Sequence, residues 1–134
     1  MTQIKEVSDK DILDSISKIF RRTVVLEDIT KPAVQEYDEV IEAWKTLLRL
    51  SQELLKKVQL KEGSEFTEVC TGLLNTLIQG YNIMIPVMER LRDKAVEGTK
   101  YSFFEYKKDM KEYRRVFTIR KMWGSRLNRI KNSL

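Results

Sequence analysis

The sequence predicts an all-α protein: an elongated helical bundle with one short N-terminal helix and three long ones, the third kinked near Pro86. Three observations carry this. Only 5 Gly and 2 Pro occur in 134 residues, so the elements must be few and long. Hydrophobic residues at 42% and charged ones at 34% suit a helical globular chain and not a disordered one. The third observation is periodicity. Read in sevens from Ala33, the chain becomes AVQEYDE, VIEAWKT, LLRLSQE, LLKKVQL. Each block opens with two apolar residues, and a third column runs through Tyr37, Trp44, Ser51 and Val58. Three positions in seven make a stripe wider than a two-stranded coiled-coil seam. The length fits a single helical domain, 1–134, able to bury its own core.

The first helix is expected to start at Ser8 as N-cap, with Ile12, Leu13, Ile16, Ile19 and Phe20 at helical spacing. Arg21 and Arg22 suit the negative end of its dipole, which places the helix end there. The β-branched, apolar residues 23–26 then predict an extended connector. Thr30 and Pro32 open the second helix, since proline costs little in a first turn. This helix is the heptad rod of about 40 Å, and residues 61–63 end it.

Ser64 caps the third helix, with Glu65 and Glu68 in its first turn. Phe66, Cys70, Leu73, Leu74, Leu77, Tyr81, Met84, Met88 and Leu91 form its main stripe, and Gly98 suits the position just past its end. Pro86 removes one backbone donor, hence the expected kink. The fourth helix opens with a capping box, Ser102 with Glu105, and a hydrophobic staple, Tyr101 with Tyr106. Phe103, Tyr106, Met110, Tyr113 and Phe117 are its expected buried side. Gly124-Ser125 is expected to break it, leaving Leu127, Ile130 and Leu134 on a final turn or two.

Several function classes find no support in the residues. The chain has no histidine, so it has no imidazole base, His-ligated metal or His-containing triad. It has no glycine-rich phosphate loop. Glu36, Glu39 and Glu42 recur by threes, but the Glu-x-x-His partner of a di-iron bundle is missing, and a solvated acidic face accounts for them. The expectation is a non-enzymatic protein with no metal and no cofactor. The lone Cys70 suggests a reducing compartment and sits in a core column with Leu77, Met84 and Leu91. The charged start, MTQIKEVSDKD, lacks the apolar stretch of a signal peptide, so an intracellular location, or one within a nucleoprotein particle, is expected.

Residues 69–88 carry no charge. Asn75, Gln79, Asn82, two threonines, two glycines and a proline in that stretch argue against a membrane span. A helix buried on more than one side fits better. Gly72, Thr76 and Gly80, four apart, form a small-residue face that admits a close backbone approach. That face predicts either self-association, giving a homo-oligomer or helical partner subunits, or a central helix within one bundle.

The clearest pointer to a partner is charge. Residues 100–134 hold eleven basic and three acidic side chains, a net of +8 that leaves −3 for residues 1–99 out of the total +5. Lys107, Lys108, Lys111, Arg114, Arg115 and Lys121 recur at three- and four-residue steps opposite the expected apolar side. Arg126 and Arg129 follow around Trp123, an aromatic suited to stacking on a base of single-stranded nucleic acid. Together these nine residues are the candidate contacts to a nucleic-acid backbone, DNA or RNA. The expected function is that of a structural nucleoprotein, coat or ribonucleoprotein subunit. The alternative is a helical adaptor whose basic face docks an acidic protein.

Overall fold

The computed structural model describes residues 7–29, 31–61 and 63–133. Four helices make an all-α bundle: α1 Asp9–Glu27, α2 Tyr37–Gln59, α3 Glu65–Glu97 and α4 Phe103–Ser133. A single 3-10 turn, Val34–Glu36, leads into α2. α1 is the shortest at 19 residues, while α3 and α4, at 33 and 31, run about 50 Å each. Contacts at the helix ends fix an up-down-up-down course. Lys61 just beyond α2 meets Asp9 at the start of α1, Arg92 near the end of α3 meets Asp38 at the start of α2, and Arg90 of α3 meets Asp109 of α4.

The ends form for local reasons. The Ser8 hydroxyl accepts from the Asp11 N–H at 3.2 Å, and the Ser64 hydroxyl from the Thr67 N–H at 3.2 Å. Gly98 closes α3 in the left-handed region, with φ of 71°, a conformation that glycine adopts without a Cβ clash. The Ser102–Glu105 box is complete, with both reciprocal hydrogen bonds made at 3.0 and 3.4 Å. The Tyr101 and Tyr106 rings of the staple meet edge to face at 6.2 Å.

Three boundaries depart from the sequence-based expectation. Residues 23–26 are not an extended connector but the last turns of α1. Thr23 and Leu26 are buried, and the Thr23 hydroxyl meets the Ile19 carbonyl at 2.7 Å and the Tyr81 hydroxyl at 2.6 Å. Tertiary packing therefore overrides the modest helix reluctance of a β-branched run. Arg21 and Arg22 consequently lie inside α1 rather than at its end. Gly124-Ser125 does not interrupt α4, because Leu127 beyond it is buried against the bundle. The second helix starts at Tyr37, several residues beyond Pro32; Thr30, like Leu134, lies outside the described residues.

α3 is the central element. α2 packs along one side of it and α4 along another, while α1 lies chiefly on α2. Burial of α3 on two sides explains why residues 69–88 carry no charge. On the rod, Tyr37, Trp44, Ser51 and Val58 are all buried, as are Val40, Leu47 and Leu54. Of the remaining column only Ile41 is fully covered; Leu48 and Leu55 are half-buried, and Val34 lies exposed ahead of α2. Among the described residues, no helix is long and apolar enough to cross a membrane.

Candidate nucleic-acid interface

α4 turns one side to the bundle and leaves the other bare. Tyr113, Val116, Arg120 and Leu127 are its buried residues, with Tyr106, Met110 and Phe117 half-covered. Phe103, expected on this side, is instead 72% exposed. The opposite side carries Lys107, Lys108, Lys111, Arg114, Arg115, Lys121 and Arg129, all exposed. From Lys107 to Arg129 this face extends about 33 Å.

Its electrostatics are one-sided. The acidic residues of α4, Glu105, Asp109 and Glu112, all fall in its first ten residues, so residues 113–133 carry only positive charge. Asp109 is taken up by Arg90 at 3.1 Å and by the Tyr101 hydroxyl at 2.6 Å. Glu112 pairs with Arg115 at 2.6 Å, which pulls its carboxyl below the usual range and reduces the free charge of Arg115. Among the described residues, Lys107, Lys108, Lys111, Arg114, Lys121 and Arg129 form no ion pair. Six of the seven cations of this face therefore stand along one helix without a carboxylate partner among the described residues.

Trp123 and Arg126 stand apart from that row. The Trp123 ring lies against Gly72, so close that a Cβ on Gly72 would meet ring atoms at 2.5–2.6 Å. The Arg126 guanidinium covers the ring at 4.8 Å from its centroid. Both side chains are half-buried. The tryptophan thus serves as a wedge that seats α4 on α3, and the arginine shields it.

The small-residue face of α3 is used within the chain. Gly72 admits Trp123, and a Cβ on Gly80 would lie 3.3 Å from the Tyr113 ring. Thr76 is buried between them, its hydroxyl donating to the Gly72 carbonyl at 2.8 Å. These three residues receive α4 of the same chain.

One feature of α4 had no local signal in the sequence. Arg120 is 5% exposed and forms a two-pronged pair with Glu27 of α1, both bonds at 3.0 Å. The Tyr113 hydroxyl donates to the same carboxylate at 2.5 Å. The Phe20 and Phe117 rings enclose the guanidinium at 5.1 and 4.3 Å. Burial, and next the bond to Glu27, hold the Tyr113 phenol well above its usual range. Arg120 is thus removed from the solvent-facing charge and locks α4 to α1.

No group of three or more metal-ligating side chains converges among the described residues. Cys70 is buried, and burial, with Asp9 adding to it, pushes its thiol up to about 12. Comparison with protein-family models, with curated proteins and with solved structures returned no match for this chain.

Proposed function

We propose that this chain binds nucleic-acid backbone through the exposed face of α4, as a non-enzymatic structural subunit of a nucleoprotein. The observation that carries this reading is the row Lys107, Lys108, Lys111, Arg114, Lys121 and Arg129, exposed, on one helix face, with no carboxylate among the described residues paired to any of them. Clustered cations cost folding energy through mutual repulsion, and phosphates spaced along a polymer relieve it. Self-association, in this reading, is driven by neighbouring copies on one strand rather than by the Gly72–Thr76–Gly80 face.

The test is a double charge reversal, Lys111→Glu with Arg114→Glu, in filter binding to duplex DNA, single-stranded DNA and RNA. Both side chains are exposed, so the fold should persist. Loss of binding to all three supports the reading. Unchanged binding contradicts it.

A second reading, an adaptor for an acidic protein, is favoured by a different place. A groove of about 900 Å³ runs between α1 and α2, floored by Ile19, Leu26, Leu47 and Leu50. Lys18, Arg21 and Arg22 line the same groove, and Val25 there is 61% exposed. An apolar floor beside cations suits an amphipathic helix with acidic flanks. In that case reversal of Arg21 and Arg22, not of Lys111 and Arg114, abolishes capture of such a helix.

A further inference from the structure

At the start of α4 a cavity of about 530 Å³ opens between the α3–α4 turn and the start of α2. Tyr37, Tyr101, Phe103 and Tyr106 line it, Leu91 and Ala95 contribute its aliphatic surface, and Lys31 and Lys94 also line it. Four aromatic rings around one cavity give flat, polarisable walls with few hydrogen-bonding groups.

Two of the rings are fixed. Tyr101 is buried, its hydroxyl tied to Asp109 at 2.6 Å, and Asp109 is in turn held by Arg90. Its ring stands perpendicular to that of Tyr106. Lys94 donates to the Tyr101 carbonyl at 2.9 Å and braces the turn. Phe103 is different: it is 72% exposed, and the bundle does not need its face. Next to it Phe104 is 78% exposed.

Position links this cavity to the basic face. Phe103, Lys107 and Lys111 follow one another at four-residue steps, as do Phe104 and Lys108, so rings and cations form one continuous strip. The Lys107 ammonium lies 5.8 Å from the centroid of Phe103. A ligand that fits both parts pairs a flat ring with an adjacent negative charge, repeated along a chain. In a duplex the rings are stacked and paired and cannot enter a side cavity.

Resting on the reading of α4 as a backbone-binding face, we infer that the protein takes single-stranded nucleic acid, with an unpaired base stacked in the Tyr37–Tyr101–Phe103–Tyr106 cavity while the adjoining phosphates lie on Lys107 and Lys111. The exposed Phe103 is then the stacking platform that Trp123, wedged against Gly72, does not provide.

Fluorescence anisotropy tests this with labelled oligothymidylate, its duplex with oligoadenylate, and an abasic oligomer of the same length. Phe103→Ala removes an exposed ring, and Ala95→Phe fills the cavity from the α3 side at an exposed helix position. Wild-type protein should bind oligothymidylate at least roughly tenfold more tightly than the abasic oligomer or the duplex. Each variant should lose about tenfold on oligothymidylate alone. Lys111→Ala should weaken all three ligands alike. If both cavity variants match wild type on oligothymidylate while Lys111→Ala weakens every ligand, the cavity inference is overturned and the basic-face reading stands. If wild type binds none of the three, that reading falls and takes the inference with it. If Phe103→Ala instead abolishes binding to phosphatidylserine vesicles and leaves oligothymidylate untouched, the rings contact membrane and the inference is likewise overturned.

Discussion

Arg120 and Glu27 illustrate what a single buried pair does at the scale of the residue. Removing the carboxylate strands a guanidinium between two phenyl rings, with its Nε already unpartnered. Glu27→Ala should therefore cost about 3–5 kcal/mol in urea melts. The double variant Glu27→Leu/Arg120→Met, which fills the space with apolar groups, should lie within about 1 kcal/mol of wild type. Equal losses in both would show that shape, not charge, is what matters. Titration gives a second expectation. Burial raises Cys70 from 9.0 to about 12, and it raises Tyr81 from its ordinary 10.0. Above about pH 9 the unfolded chain then releases protons that the folded chain keeps, so stability should fall as pH rises through that window. Melts between pH 7 and 10.5 check the sign, and a flat profile contradicts it. The residue scale is also where the sequence was least legible. Glu27 and Arg120 stand 93 positions apart, and no local pattern announces their meeting.

At the scale of the element, helix starts and stops were readable because their causes are local. Ser8, Ser64, Gly98 and the Ser102–Glu105 box each act within four residues. The errors lie where distant packing decides. Thr23 and Leu26 extend α1 because α3 offers the Tyr81 hydroxyl to Thr23 and Leu26 joins the common buried core. Phe103 stands 72% exposed although its heptad neighbours Met110 and Phe117 are half-covered, because it lies at the edge of the buried stripe of α4 and lines an open cavity there. The small-residue face of α3 was legible as room for a neighbour, but what fills that room is side chains of α4, the Trp123 and Tyr113 rings, rather than a second backbone. Gly72→Ala should therefore drive a Cβ into the Trp123 ring. Overpacking of this kind costs about 1–3 kcal/mol and should loosen the C-terminal half of α4 first. Limited trypsin digestion should then cut at Arg126 and Arg129 faster than in wild type. If Gly72→Ala instead changes sedimentation while the digestion pattern stays the same, the face joins subunits rather than helices.

For the whole molecule, the fold divides labour between the two sides of one helix. The apolar side of α4 completes a bundle centred on α3, and its other side collects unpaired cations. That row was legible in the sequence because three- and four-residue steps on a helix guarantee a shared face. What was not legible is which cations stay free. Arg120 is buried in the interior, Arg115 is paired to Glu112, and Arg126 covers Trp123. In the proposed reading the phosphate contacts fall chiefly to Lys107, Lys111, Arg114 and Lys121, which are exposed and unpaired among the described residues. The most direct test is the salt dependence of binding to duplex DNA, which counts those contacts. Each one should contribute about −0.9 to the slope of log affinity against log salt, and Arg114→Ala should reduce that slope by about one such step. Affinity that ignores salt, or a slope that Arg114→Ala leaves unchanged, would contradict the claim that α4 holds nucleic-acid backbone.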